Sequence, residues 1–369
     1  MSEQGNTGQF SAKRLLVYLG ILVVCALLLL FGWNTFASSA QKEPAAKAAI
    51  TWLLPHPPTV LFARAADVFS KEISVKSGGD VSLERTVLPD DVLPPSYTTG
   101  HDFTAYIDSE TPGHPRMISE YVGHLGGTYS FSVRVLDLPF LFDDYDSALK
   151  FLDGPGGEKL LNDLALKIPK YKPLAFTMSG GFRIFVSKDK KILTPEDMKG
   201  MEILSGAGGP VIQGTTRALG ANPVQDPKLE FTPDLVKLKT ADAVETTYSR
   251  LAPLLEANPT FIKYVTETNH SMSLTIVLVS TGFYDSLSPK DQTALKDAVH
   301  DAAVAEKQDN IAYEDSMRAL LEKNGTTIIR LTPEQRNVFK EALAPLRKEL
   351  DPQFDGLVEE IQSGLKAAM

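Results

Sequence analysis

Three glycines, Gly206, Gly208 and Gly209, follow a short predicted strand, the place where many α/β proteins bind phosphate. A dinucleotide fingerprint needs a further glycine three residues after its second one, and Val211 occupies that position here. A P-loop needs a Gly-Lys pair followed by Ser or Thr, and the sequence contains none. The loop is therefore predicted not to be a nucleotide site; it is either a glycine turn that brings backbone close to another group or simply a strand-to-helix turn.

Residues suited to catalysis or metal binding show no diagnostic spacing. The sequence has no G-x-S-x-G, no H-E-x-x-H, and no S-x-x-K with its supporting elements. The scattered histidines are interpreted as structural or exposed: His56, His124, His270 and His300. A proline-rich segment collects polar residues whose spacing matches no ligand motif: His101, Asp102, Asp108, Glu110 and His114. We therefore expect no catalytic residues, no metal and no cofactor.

The composition is that of a globular protein without a nucleic-acid partner. The 369 residues are 43% hydrophobic and 22% charged, and the formal net charge is -9. Phosphate backbones attract clustered lysine and arginine, and no basic run occurs beyond the N-terminus.

The N-terminus reads as an export signal. Two basic residues precede an apolar run that begins at Leu15 and ends at Trp33, and small residues around Ala40 resemble a cleavage site. Because about 20 apolar residues cross a bilayer, an uncleaved membrane anchor is the alternative for residues 1–40. In both cases the remainder of the chain is exported and periplasmic. Its exported part lacks cysteine, since Cys25 lies inside the apolar run.

The elements that follow predict an α/β protein. After a linker at residues 41–49, a strand, an amphipathic helix and a second strand form a β-α-β opening at residues 50–89. Residues 128–142 are aromatic and strand-like. A long helix begins at Pro289 behind the N-cap Ser288 and continues to about Asn324, on the order of 50 Å. Such a helix is expected to brace two parts of the molecule.

Several segments resemble the periplasmic solute-binding proteins of tripartite ATP-independent periplasmic (TRAP) transporters, of the C4-dicarboxylate-binding type. The first is VLDLPFLFDDYDSALKFLDGPGGEKLL at residues 135–161. The others follow in the family's order at residues 180–188, 194–203, 218–224, 241–249, 268–280 and 283–295. The resemblance covers about residues 50–350.

The resemblance implies a two-lobed periplasmic-binding-protein fold. Hinge strands cross between the lobes, and a long helix spans both. The expected first lobe comprises residues 50–180 and 272–312, and the second comprises residues 181–271 and 313–369. Closure over a ligand would be a hinge motion.

The resemblance also implies a function. The chain would capture a small organic solute, usually a carboxylate, and deliver it to the small and large TRAP membrane subunits. Two alternatives are a solute receptor that feeds a sensor and an extracytoplasmic enzyme on the same scaffold.

Family members hold the ligand carboxylate with an arginine on the strand after the D-l-k-G-l-k segment. Here Leu204 stands at that position, and Ser205 and the glycines follow it. Arg183 matches a second family arginine, so the resemblance makes it the expected cation of the site. The carboxylate ligand that the resemblance implies rests on the family arginine, so its replacement by Leu204 leaves the chemical class of the ligand open.

The resemblance brings further residues to the expected pocket. They come from the end of the first strand, from the loop before residue 130 and from the segment after residue 244: Trp52, His56, Thr128, Tyr129, Glu245, Thr246 and Tyr248. The aromatic side chains would pack on the apolar part of a ligand.

Overall fold

The computed structural model describes residues 47–54, 59–88, 104–206, 209–226, 235–257 and 262–368. Its strands, in chain order, are β1 (Ala48–Leu53), β2 (Val81–Val87), β3 (Arg116–Tyr121), β4 (Tyr171–Phe182), β5 (Ile184–Ser187), β6 (Glu202–Ser205), β7 (Asn222–Gln225), β8 (Ala243–Thr246), β9 (Tyr264–Glu267), β10 (Met272–Ser280) and β11 (Thr327–Arg330). The helices are α1 (Ala63–Ser77), α2 (Thr104–Asp108), α3 (Val122–Thr128), α4 (Tyr145–Leu152), α5 (Pro155–Lys167), α6 (Gly209–Ala218), α7 (Leu235–Thr240), α8 (Leu251–Ala257), α9 (Thr281–Ser286), α10 (Pro289–Lys323), α11 (Pro333–Leu350) and α12 (Leu357–Ala368).

These strands form two mixed sheets. The first sheet has the order β2-β1-β3-β10-β4, in which β1 runs parallel to β2 and β3 while β10 runs antiparallel to β3 and β4. The second sheet has the order β11-β9-β5-β8-β6-β7, in which β6 runs parallel to both of its neighbours. Apolar cores lie against helices beside both sheets, so the predicted α/β fold class is confirmed.

Helix α10 runs along both sheets. Its first part packs with α1 on the core that contains Ala298 and Ala302, and its last part contributes Met317 and Leu321 to a core of the second sheet. Ser288 caps its N-terminus by accepting a hydrogen bond from the backbone of Asp291. The predicted long helix and its N-cap are thereby confirmed.

Side chains of α10 also cover the free edge of β4. Glu306 accepts a hydrogen bond from the Met178 N–H at 2.8 Å, and Lys307 donates to the Phe176 carbonyl at 2.9 Å. Asn310 donates to the Met178 carbonyl at 3.2 Å. Because β4 ends its sheet, these contacts satisfy backbone groups that no neighbouring strand reaches.

The structure corrects the strand predicted for residues 128–142. Thr128 ends α3, and Phe131–Asp137 forms a 3₁₀ helix. All six residues from Ser132 to Asp137 are buried, so the apolar run has no exposed face that would distinguish a strand from a helical turn.

The lobe boundaries remain a prediction. Helix α12, which that prediction assigned to the second lobe, packs through Leu357, Val358 and Ile361 in the same core as α4 and α5. Among the described residues, no helix combines the length and apolar composition needed to cross a bilayer. The predicted signal peptide or membrane anchor, residues 1–40, lies outside the described residues.

Candidate functional site

Two chain segments cross side by side between the sheets. Strand β4 leads through Arg183 into β5, and the segment that follows β9 passes His270 and Ser271 before β10. The backbone N–H of Arg183 donates to the carbonyl oxygen of Ser271 at 2.8 Å. The crossing therefore holds the buried Arg183 side chain at the junction of the two sheets.

The Arg183 guanidinium forms an ion pair with Glu245 of β8. Its Nε lies 2.8 Å from Oε1 of Glu245, and Nε2 of His270 lies 3.3 Å from the same oxygen. Burial alone would raise the pKa of the Glu245 carboxyl, but the charge of Arg183, the hydrogen bond with His270 and the charge of Arg250 outweigh it and lower the pKa. Glu245 is therefore an ionised carboxylate inside the protein.

A second arginine connects the sheets nearby. Arg250 ends the 3₁₀ turn after β8, and its Nη2 donates to the hydroxyl of Ser179 on β4. The next residue, Gly180, has a φ of 112°, and a Cβ there would lie 2.1 Å from the Thr247 hydroxyl oxygen. Only glycine allows the turn of the second sheet to approach β4 this closely.

The first-sheet side contributes Tyr121 of β3 and two residues of the 3₁₀ helix, Arg134 and Asp137. The Tyr121 hydroxyl donates to Oδ1 of Asp137 at 2.9 Å, and Nη1 of Arg134 lies 3.9 Å from its Oδ2. Burial raises the pKa of Asp137 to about 6, although the Tyr121 hydrogen bond and the charges of Arg134 and Arg183 oppose the rise. Since Arg183 acts on both Asp137 and Glu245, these groups belong to one cluster.

We call Arg134, Asp137, Arg183, Glu245 and Arg250 the charge cluster. Its guanidinium groups are planar donors that suit a carboxylate or a similar anion. Within the described residues, no group of three or more His, Cys, Asp and Glu side chains could hold a metal ion. The arrangement is therefore suited to binding an organic anion.

The structure brings some of the predicted residues to this cluster. Arg183 and Glu245 form its central ion pair. Ser205 lies in register with Glu245 on the neighbouring parallel strand, so both side chains point to the same face of the sheet. Thr246, the next residue of β8, is buried.

Leu204 is located differently from its prediction as a site residue. Its register partners are Val224 and Val244, and its fully buried side chain joins the core that α10 covers. The side chains of a strand alternate between faces, so Leu204 points away from the face that carries Ser205 and Glu245.

Three predicted aromatic residues also form contacts outside the cluster. Trp52 is a core residue whose Nε1 donates to Ser119 Oγ at 3.2 Å. The Tyr129 hydroxyl shares a 2.7 Å hydrogen bond with Thr104, and the Tyr248 hydroxyl donates to Glu267 at 2.8 Å. Thr128 is exposed, and His56 lies outside the described residues.

Sequence reasoning missed Tyr121, Arg134, Asp137 and Arg250, and it interpreted His270 as structural or exposed. Arg134 and Asp137 stood inside the segment predicted to be a strand, where an arginine and an aspartate amid apolar residues were the available signal. Arg250 follows a segment that the resemblance had already singled out. No sequence pattern connects these residues, because separate parts of the chain bring them together.

Comparison with known proteins gives the family. A family model described as bacterial extracellular solute-binding protein, family 7, matches residues 113–353. The chain belongs to this family. A C4-dicarboxylate-binding periplasmic protein of Vibrio cholerae is 24% identical to this solute-binding protein over 333 residues, which cover 89% of this chain and 93% of the relative. A 2,3-diketo-L-gulonate-binding periplasmic protein of Escherichia coli is 30% identical over 215 residues, with coverage of 57% and 62%.

Solved structures share the fold. A TRAP periplasmic solute-binding protein from Ochrobactrum anthropi matches with a TM-score of 0.74 at 22% identity, covering 87% of this chain and 96% of its own. One from Shewanella oneidensis, with bound succinate, matches with a TM-score of 0.69 at 19% identity, covering 87% and 100%. The resemblance to TRAP solute-binding proteins is confirmed. The sensor and enzyme alternatives receive no support from these relatives.

Proposed function

We propose that this solute-binding protein captures a small organic acid with one carboxylate group in the charge cluster. The observation that carries the proposal is a charge surplus. The cluster holds three guanidinium groups and two carboxylates, so its formal charge at neutral pH is positive by one.

A buried positive surplus favours an anionic ligand. A charge removed from water is costly unless a partner of opposite sign compensates it. One ligand carboxylate would neutralise the cluster, whereas a dicarboxylate would bring a second charge without a matching cation. The surplus therefore favours a monocarboxylate.

Ligands of related proteins agree with the carboxylate class. Structures of this fold are known with bound (S)-2-acetolactate, galactonate, D-erythronate, D-glucuronate and succinate. Each of these ligands is an organic acid, and succinate alone among them carries two carboxylates. They form a suitable test panel.

Delivery to small and large TRAP membrane subunits follows from the family and belongs to the same proposal. The predicted periplasmic location also belongs to it, with residues 1–40 acting as a cleaved signal or as a tether. Neither assignment depends on the charge cluster.

Thermal unfolding of the purified full chain in the presence of each panel acid tests the ligand class. At fixed ionic strength, a monocarboxylate should stabilise the protein by mass action, about 2.7 kcal/mol at roughly 100 times its Kd. Succinate should stabilise it less at the same concentration. Equal or stronger stabilisation by succinate would overturn the monocarboxylate assignment, and no stabilisation by any of the acids would overturn the proposal.

A further inference from the structure

The guanidinium group of Arg134 lies between two glycines from distant parts of the chain. A Cβ on Gly209 would lie 2.1 Å from its Nη1, and a Cβ on Gly127 would lie 2.9 Å from its Nη2. Gly209 is the first residue of α6, the helix that follows β6 of the second sheet. An arginine from the first-sheet side therefore reaches the N-terminus of a second-sheet helix.

This contact is electrostatically unfavourable by itself. The N-terminus of a helix carries a partial positive charge from N–H groups without intrahelical partners, and guanidinium is a cation. The Arg134 side chain is only 9% exposed, so solvent screens this repulsion poorly. An anion that contacts both groups would convert the repulsion into two attractions.

The nearby carboxylate does not fill that role. Oδ2 of Asp137 lies 3.9 Å from Nη1 of Arg134, beyond hydrogen-bond distance. Neither atom has a hydrogen-bond partner among the described residues, although both are buried. Arg134 therefore presents a buried donor toward Gly209 that no described residue satisfies.

Ser205 supplies a third donor. It is the last residue of β6, the strand that leads into α6, and its buried hydroxyl has no hydrogen-bond partner among the described residues. In the first turn of α6, Gly209, Val211 and Ile212 carry N–H groups, whereas Pro210 has none. Ser205 thus ends the strand and Gly209 begins the helix beside which Arg134 lies.

We propose that Arg134, the N-terminal turn of α6 and Ser205 together bind the ligand carboxylate. This inference rests on the proposed function and names the part of the cluster that meets the anion. Arg183 is neutralised by Glu245, and Leu204 points into the core, so Arg134 supplies the charge beside α6. The bound carboxylate connects a residue from the first-sheet side to a helix of the second sheet and thereby stabilises the closed arrangement.

The test compares four variants with wild type: Arg134→Gln, Arg134→Lys, Gly209→Ala and Arg217→Gln. Calorimetry measures binding of each panel acid, its primary amide, and acetate as a minimal carboxylate. Arg134→Gln should weaken acid binding at least tenfold and abolish the preference for an acid over its amide. Arg134→Lys keeps the positive charge and should lose less affinity for the acids than Arg134→Gln does.

Two variants separate the site from the fold. Gly209→Ala keeps both charged residues, but its methyl group would lie 2.1 Å from Nη1 at a residue whose φ is 60°, so the folded variant must displace the guanidinium and should bind acids more weakly. Arg217→Gln changes an exposed arginine in the last turn of α6 and should bind like wild type.

The outcomes distinguish this inference from the proposed function. If acids bind wild type and folded Arg134→Gln with the same preference over their amides, the inference fails and the proposed function stands. If Arg134→Gln does not fold, wild-type affinity in Gly209→Ala overturns the inference. If neither acetate nor any panel acid binds wild type, both fail.

Discussion

Replacing Glu306 with glutamine is expected to flatten the pH dependence of stability. Glu306 lies on α10, is completely buried, and accepts hydrogen bonds from the Met178 N–H and from Asn310, both at 2.8 Å. Burial raises the pKa of its carboxyl to about 7, although these hydrogen bonds and the charge of Lys307 act against the rise. The folded protein therefore holds a proton at this site that the unfolded chain releases near pH 4.5.

The sign follows from proton linkage. Below about pH 4.5 the carboxyl is protonated in both states, and the stabilising contribution is fully present. As pH rises to about 7, the unfolded chain binds fewer protons than the folded one, so the free energy of unfolding falls. A difference of about 2.5 pKa units corresponds to about 3 kcal/mol, and this contribution is lost by pH 8.

Urea unfolding followed by circular dichroism between about pH 4.5 and about pH 8 measures this loss. Between these limits, Glu306→Gln should gain about 3 kcal/mol relative to wild type, since glutamine does not titrate. The Asp137 contribution is common to both proteins and cancels in the difference. Glu322→Gln, at an exposed position of the same helix, should follow the wild-type curve. Parallel curves for wild type and Glu306→Gln would refute the reasoning.

Two further substitutions test the cluster and the core beside it. Arg183→Ala should weaken binding of the best panel acid at least tenfold and destabilise the fold by about 3–5 kcal/mol, because it leaves Glu245 buried without that partner. Combining Arg183→Met with Glu245→Gln removes one charge of each sign, so it should restore stability in urea unfolding and most of the affinity in calorimetry; wild-type affinity in folded Arg183→Ala would remove this residue from the site. Leu204→Arg should lower the free energy of unfolding by several kcal/mol, since it buries a charge among Val224 and Val244, whereas Leu204→Met should cost less than about 1.5 kcal/mol. Equal stability of the two Leu204 variants would contradict the core assignment.

Local signals predicted the elements well where their chemistry was unambiguous. The Ser-Pro pair at Ser288 and the uninterrupted helical pattern gave α10 within one residue of its observed end. The Thr-Pro pair at Thr332 is a signal of the same kind, since Thr332 caps α11, which begins at Pro333, and forms a capping box with Gln335. Helix caps act on backbone groups a few residues away, so the local sequence is enough to predict them.

The segment from Phe131 to Asp137 shows where local signals fail. Aromatic and β-branched residues predicted a strand, but burial on every side stabilises a 3₁₀ helix. This geometry directs Arg134 and Asp137 into the cluster, so the misassigned element was also the source of the missed site residues. Tertiary packing determines both the conformation of this segment and the position of its charged side chains. The spacing of residues along the sequence does not encode that packing.

The position of Leu204 illustrates a further limit of prediction from sequence. Whether its side chain is in the core or at the cluster depends on which face of β6 packs against the core. The resemblance singled out β6, and Ser205 of that strand lies in register with Glu245. Alternation then places residue 204 on the opposite face, where Val224 and Val244 surround it. The change of residue type at position 204 is therefore readable from sequence, but the side chains that other elements bring to the opposite face of the strand are not.

Contacts of the second sheet and of α4 converge on the end of β4, where the hinge motion implied by the family resemblance would act. Arg250 bonds Ser179, the turn at Thr247 reaches over Gly180, and the Tyr145 hydroxyl accepts from the Phe182 N–H at 3.0 Å. On the other side, Glu306 and Asn310 of α10 fix Met178. A hinge rotation between the sheets, which the resemblance implies, would therefore be absorbed in the short stretch between Met178 and Phe182, where Gly180 and Gly181 have positive φ. In the proposed binding mode, an anion held by both Arg134 and α6 would favour the closed arrangement across this same stretch, so a ligand carboxylate and the crossing strand would act on one equilibrium.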